Sequence, residues 1–325
     1  MSIDELLQRW DLFSHFSEAQ RNRLAPCISR SEFAADTPIV REGESSAEAF
    51  LIETGRVRIE RQTPLGAFTF ARLGEGCLFG ESAFVDEKPR SSDAITETES
   101  AILILNPSSL NWLFERDQRF SVALYWTFWK SLSAKLRDTN EILGQFFPGG
   151  EPGPSTPKTP RHDDGAGFRM DLDDKRKVFE EQKLSSLEIN FLAPLSREIK
   201  LSPGEVIFRE GDPGDVAYVV LDGRVMISKY IPGAGEEALA FLERGDYFGE
   251  MALIDKLPRS ADASAHGGEA VILAIPADVL EGILDIQKVS SLRLLRILCN
   301  MVAQRLRELN DKISGWYVLS GGQEQ

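Results

Sequence analysis

The sequence predicts an α+β, mainly β fold: two β-roll or jelly-roll barrels (double-stranded β-helices), each flanked by N- and C-terminal helices. Three observations predict it. The chain repeats itself, as a duplicated domain does. Each copy holds short apolar runs that alternate with polar residues and are broken by turn signals, the pattern of antiparallel strands. Each copy closes on a longer run whose apolar residues recur at intervals of three and four, the pattern of a helix with one buried face.

The repeat can be followed residue by residue. Leu24-Ala25-Pro26 recurs as Leu192-Ala193-Pro194, Arg41-Glu42-Gly43 as Arg209-Glu210-Gly211, and Gly55-Arg56-Val57 as Gly223-Arg224-Val225, all at an offset of 168 residues. Phe79-Gly80-Glu81 matches Phe248-Gly249-Glu250 and Pro89-Arg90-Ser91 matches Pro258-Arg259-Ser260 at 169, and Lys135-Leu136-Arg137 resembles Arg305-Leu306-Arg307 at 170. A duplicated domain with two small loop changes accounts for the series. Between the copies, PGGEPGPSTPKTPRHDDGAG reads as a linker, its prolines alternating with glycines and polar residues. Thr156-Pro157 and Thr159-Pro160 could attract a proline-directed kinase, although linkers are rich in these residues anyway. The expected organisation is a first domain over 1–147, a linker over 148–177, a second domain over 178–320 and a disordered tail over 321–325.

Within the first copy, Phe50, Leu51 and Ile52 lead through Thr54-Gly55 into Val57 and Ile59, which alternate with Arg56, Arg58 and Glu60: strand, turn, strand. The second copy repeats this from Tyr218 to Leu221, through Asp222-Gly223, into Val225 and Ile227. The closing helices are expected over about 120–146 and 289–316, the second carrying an apolar face of Leu295, Leu298, Val302, Leu306, Leu309, Ile313 and Trp316. That second helix would be roughly 40 Å long, more than one small barrel covers. An uncovered apolar stripe predicts a contact surface, and hence a homodimer.

Composition narrows the function classes. A chain of 325 residues with 42% hydrophobic and 27% charged residues can bury two cores. No apolar run approaches the ~20 residues of a membrane span, and the N-terminus has acidic residues where a signal peptide is basic, so a cytoplasmic protein without membrane attachment is expected. Cys27, Cys77 and Cys299 show no CxxC spacing and are expected to be small buried hydrophobes. His15, His162 and His266 are scattered, which predicts surface or loop positions and no metal. A net charge of −14 opposes attraction to nucleic acid. The chain has no GxxxxGK[ST] or GxSxG, and Gly74, Gly76 and Gly80 lack dinucleotide-binding spacing, so no catalytic residues are expected. After Ile313 only 314–325 remain, short for a helix-turn-helix, so no DNA partner is expected either.

The chemistry lies in FGESAFVDEKPRSSDA, residues 79–94, and FGEMALIDKLPRSADA, residues 248–263. Each holds Gly-Glu, then a small residue in a helix-like turn, then Arg nine positions after the Glu. Such a turn exposes backbone N–H groups to an anion. An arginine returning there supplies a planar, permanently charged fork for phosphate oxygens. A carboxylate only accepts hydrogen bonds, so Glu suits a sugar hydroxyl. Together they describe a nucleotide monophosphate site. A surface salt bridge within a structural turn is the plainer alternative, and the same pair with the same neighbours in both copies argues against it.

These segments resemble the phosphate-binding cassette of the cyclic-nucleotide-binding domain family, which includes catabolite activator protein and the regulatory subunit of cAMP-dependent protein kinase. The resemblance covers nearly the whole chain apart from the linker and the last residues. It implies that Glu81 and Glu250 bind the ribose 2′-OH and that Arg90 and Arg259 bind the cyclic phosphate. It places Gly80, Ser82, Ala83 and Ser91 around the first phosphate, and Gly249, Met251, Ala252 and Ser260 around the second. The second copy keeps the pattern throughout, whereas the first has Ser82 for an apolar residue and Ser92 for alanine.

The implied function is a cyclic-nucleotide sensor with two sites, acting through movement of the closing helices on an unidentified effector protein. Ser91 and Ser260 stand where cGMP-selective relatives often have threonine, which favours cAMP as ligand, with no cofactor. A sensor of cyclic di-GMP or another signalling nucleotide, or a ligand-free interaction scaffold, remain the competing classes. Kinase regulatory subunits share the tandem layout, but the first 40 residues hold no basic pseudosubstrate. Trp126, Trp129, Trp316 and Tyr317 on the closing helices are candidates to cap a base, or core residues.

Overall fold

The structure, a computed structural model, describes residues 2–143, 169–285 and 291–322. The first half begins with helices α1 (Ile3–Arg9) and α2 (Glu18–Leu24), each opened by a capping box, Ser2 with Glu5 and Ser17 with Gln20. There follow strands β1 (Ile28–Phe33), β2 (Pro38–Val40), β3 (Ala49–Thr54), β4 (Val57–Thr63), β5 (Gly66–Leu73) and β6 (Leu78–Phe79), the short helix α3 (Glu81–Asp86), and strands β7 (Asp93–Thr96) and β8 (Ser100–Leu105). Helices α4 (Pro107–Arg116) and α5 (Gln118–Leu143) close it. The second half repeats the order as α6 (Leu172–Glu181), α7 (Ser186–Leu195), β9 (Arg197–Leu201), β10 (Val206–Phe208), β11 (Val216–Asp222), β12 (Val225–Ile231), β13 (Gly235–Leu242), β14 (Tyr247–Phe248), α8 (Met251–Asp255), β15 (Asp262–Ala265), β16 (Ala270–Pro276), α9 (Ala277–Ile283) and α10 (Leu292–Leu319).

Each half builds two four-stranded antiparallel sheets. The first pair has strand orders β1-β8-β3-β6 and β2-β7-β4-β5, and the second pair has β9-β16-β11-β14 and β10-β15-β12-β13. The α+β, mainly β fold expected from the sequence is therefore the observed one. Apolar inward residues fill each roll: Val40, Phe50, Ile52, Val57, Phe79 and Ile102 in the first, Ile207, Tyr218, Val220, Val225, Phe248 and Ile272 in the second. The expected alternation along β4 breaks at Glu60, only 6% exposed, because a bulge between Ile59 and Glu60 shifts the register. The same bulge recurs between Ile227 and Ser228, and the buried Ser228 hydroxyl donates to Glu236 at 2.7 Å.

The chain divides into two compact units: residues 1–135 with 302–325, and residues 136–301. Each unit thus contains a stretch of closing helix that belongs, by the sequence repeat, to the other copy.

Several sequence expectations change. Of the expected linker over 148–177, residues 148–168 lie outside the described residues, and the end is helical instead. Asp171 caps α6, Asp173 and Asp174 favour its N-terminus, and Val178 and Phe179 are buried. The α10 stripe is not exposed: Leu295, Leu298, Val302, Leu309 and Ile313 are at most 2% exposed in the single chain. The stripe therefore gives no support to a twin helix. Cys299 is buried as expected, but Cys27 and Cys77 are only half-buried. His15 lies in a turn, which agrees with the expected loop position, but it is half-buried, its ring meeting the Ala123 carbonyl at 2.9 Å and Thr127 Oγ at 3.0 Å. No helix among the described residues is long and apolar enough to cross a membrane.

Candidate phosphate-binding cassettes

In both copies a two-residue strand runs into a glycine and then a helical turn. Gly80 and Gly249 have φ of +76°, and a Cβ there would come within 2.8 Å of Arg90 Nη1 and 2.6 Å of Arg259 Nη1. Conformation and space both demand glycine. The turn places Glu81 and Glu250 at the helix start, each 1% exposed, followed by half-buried Ser82 and Met251 and by buried Ala83 and Ala252. The loop after the helix brings Arg90 and Arg259 back beneath the glycines, each 5% exposed.

Both arginines bind main chain. Arg90 donates from Nη1 to the Gly80 carbonyl at 2.9 Å and from Nη2 to the Glu48 carbonyl at 2.8 Å. Arg259 donates to the equivalent carbonyls of Gly249 and Val216 at 2.5 and 2.6 Å. Each lies over an aromatic ring, Arg90 5.3 Å from the centre of Phe50 and Arg259 4.3 Å from that of Phe208. Burial pulls both guanidinium pKa values below the ordinary arginine value, opposed at Arg90 by Glu48, Glu44 and Glu81 and at Arg259 by Tyr218, Glu250, Asp215 and Asp212. Glu81 and Glu250 thus sit in the electrostatic field of their cassette arginines. Arg259 Nε is buried without a hydrogen-bond partner.

Glu81 Oε1 accepts from Ser131 Oγ at 2.8 Å and from Lys135 Nζ, both on α5. The carboxylate is thereby tied to the closing helix. The Ser91 carbonyl accepts from Arg61 Nε at 3.0 Å, and Ser260 Oγ lies 3.5 Å from Asn140 Nδ2.

Sequence reasoning missed a second arginine at each cassette. Arg307 donates from Nε and Nη2 to the two Asp86 oxygens at 2.8 and 3.0 Å, and from Nη1 to the Pro89 carbonyl at 2.8 Å. Arg137 makes the matching contacts to Asp255, 2.8 Å from Nε, and to the Pro258 carbonyl, 2.9 Å. The signal was present in the repeated Lys-Leu-Arg and Arg-Leu-Arg, and in the Asp three residues ahead of each cassette proline. Among the aromatic candidates, Trp129 is 1% exposed in the core against Trp126, and Tyr317 packs on Phe68 with ring centres 5.0 Å apart.

The chain thus carries two rolls in tandem, each with a Gly-Glu turn and a returning buried arginine. Residues 30–117 and 198–287 match the family model of the cyclic nucleotide-binding domain, and the chain belongs to that family with two copies of the domain. The cAMP-dependent protein kinase regulatory subunit of Dictyostelium discoideum is 25% identical over 281 residues, covering 82% of this chain and 68% of that one. The corresponding subunit of Emericella nidulans is 27% identical over 263 residues, 78% of this chain and 52% of its own length. The chain spans about two thirds of the first relative and about half of the second. Among solved structures, the regulatory domain of Toxoplasma gondii PKA crystallised with cAMP aligns over 90% of this chain and 93% of that one at 19% identity, with a TM-score of 0.33.

Proposed function

We propose that the chain is a cyclic-nucleotide sensor, with cAMP as ligand, that catalyses no reaction and acts through its closing helices on an effector protein. The observation that carries this reading is the unpartnered Nε of Arg259. A buried charged donor left unsatisfied costs stability unless a ligand accepts from it. That unsatisfied donor beside a Gly-Glu turn fits a cyclic phosphate, and the Glu250 carboxylate fits a ribose hydroxyl. Ser260 next to the fork is the residue that favours cAMP over cGMP in this reading.

The route from ligand to helix is clearest at the first cassette. Glu81 is held by Ser131 and Lys135 of α5, so a ribose hydroxyl that donates to Glu81 changes what α5 is bonded to. A ligand shifts the helix only by its difference in affinity for the two helix positions. Calorimetric titration of the full chain against cAMP, cGMP and cyclic di-GMP tests the function. Saturable binding of cAMP tighter than the other two is expected, and the absence of binding by all three would leave a ligand-free scaffold. Hydrogen exchange with and without cAMP tests the route, with changed protection across α5 and α10 as the expected result.

A further inference from the structure

The two cassette arginines do not offer the same free donors, and the cause lies in a loop outside the cassettes. A guanidinium has five N–H groups. Arg90 spends two on the Gly80 and Glu48 carbonyls, a third from Nε on Ser46 Oγ at 2.8 Å, and Nη2 also faces the Glu48 carboxylate at 3.5 Å. The Asn106 amide holds that carboxylate in place, 3.2 Å from its other oxygen. At the same points of the repeat the second copy has Gly214 and Val216. Arg259 keeps its two carbonyl bonds, but Nε has no hydrogen-bond partner and, among the described residues, no carboxylate lies within ion-pair distance of it, Glu250, Asp215 and Asp212 acting on it from farther away. Gly214 cannot be replaced by serine in kind, because a Cβ there would lie 2.2 Å from the Ala252 Cβ.

Building on the cyclic-nucleotide reading, we propose that the first phosphate site is filled by the chain itself: the Ser46 hydroxyl and the Glu48 carboxylate occupy the edge of the fork whose Nε in the second copy is buried without a hydrogen-bond partner. Two consequences follow from charge and geometry. An Arg90 with its Nε/Nη2 edge taken cannot grip a phosphate bidentately along that edge. A carboxylate beside the same guanidinium also repels the incoming anion. The second copy is therefore the high-affinity site, and the first takes nucleotide only by displacing Glu48. Glu48 and Ser46 set the inequality of the two sites, while Ser82 and Ser92, the departures visible inside the cassette, are not among the hydrogen-bond partners of the arginine fork within the described residues.

The test is calorimetric titration of the full chain with cAMP and cGMP. The unaltered chain is expected to show two classes of site at least about tenfold apart, the tight class disappearing in Arg259→Ala. In that background Ser46→Gly with Glu48→Gln is expected to strengthen the remaining site about tenfold or more. Glu48→Gln keeps the amide partner and leaves the main-chain bond to Arg90 untouched. A reciprocal variant, Val216→Glu in the otherwise unaltered chain, is expected to weaken the tight site by a similar factor. Two sites of equal affinity, or an unchanged first site after both loop substitutions, would overturn this proposal while leaving the sensor reading intact. No binding of either nucleotide at either site would overturn both.

Discussion

Arg307 grips Asp86 with two nitrogens, at 2.8 and 3.0 Å, and turns its third onto the Pro89 carbonyl, so a single side chain braces both ends of the segment that links α3 to Arg90. The Asp86 side chain is 5% exposed and that of Arg307 13% exposed. Removing the arginine strands a buried carboxylate, which typically costs about 3–5 kcal/mol. Arg307→Ala is therefore expected to lower the stability of the first unit by that order. Arg307→Lys recovers only part, because an ammonium cannot fork. Urea denaturation measures the loss, and hydrogen exchange over 81–90 locates it. An unchanged midpoint would show that the fork is a surface ornament.

Arg259→Ala is expected to weaken nucleotide binding at the second site by roughly 2–4 kcal/mol, the worth of charge-assisted bonds to a phosphate. The fold also suffers, contrary to what a purely ligand-facing side chain implies. The Gly249 and Val216 carbonyls lose their donor and Phe208 loses its stacked cation. An added stability cost of about 1–3 kcal/mol is expected in the absence of ligand. Titration and thermal denaturation of the same variant separate the two effects. Unaltered affinity would reject the assignment.

The roll and the cassettes were legible in the sequence because both depend on local rules. Alternation and turn glycines declare strands, and a Gly-Glu turn with an arginine nine positions on marks a candidate anion site whatever surrounds it. What was hidden depends on long-range pairing. Nothing in the spacing of Ser46 and Glu48 shows that they reach Arg90, more than forty positions away, until β3 runs beside the cassette. The α10 stripe looked uncovered because periodicity reports that a face is apolar, not what covers it. It is buried within the chain, and residues 302–325 group with residues 1–135. His15 looked incidental for the same reason, since its partners Ala123 and Thr127 lie over a hundred positions downstream.

Glu250→Gln is expected to weaken ribonucleotides far more than their 2′-deoxy analogues. The carboxylate is 1% exposed at the start of α8, and its proposed partner is the 2′-OH. An amide presents one acceptor and a pair of donors where the carboxylate presents only acceptors. Removing the charge-assisted bond costs about 1.5–3 kcal/mol for the ribose form and nothing comparable for a ligand that lacks the hydroxyl. Parallel titrations with cAMP and 2′-deoxy-cAMP decide it, and equal losses would assign Glu250 another role.

His15 gives the chain a pH dependence whose sign can be worked out. Burial holds its pKa below the ordinary 6.5, helped by Lys130 and opposed by the Ala123 carbonyl and Asp11. Folding therefore favours the neutral ring. Above the unfolded value both states are neutral and the full contribution is present. As pH falls through that value the unfolded chain takes up a proton first, and stability is lost until the folded pKa is passed. The ring contacts Ala123 and Thr127 on α5, the helix whose Ser131 and Lys135 hold Glu81. Urea midpoints measured from about pH 8 to about pH 5 are expected to fall more steeply for the unaltered chain than for His15→Gln, whose amide does not titrate in that window. The difference between the two curves isolates His15 from the other titrating groups. Parallel curves would show that the ring takes up its proton as readily folded as unfolded, and burial against α5 would then not be what sets its charge.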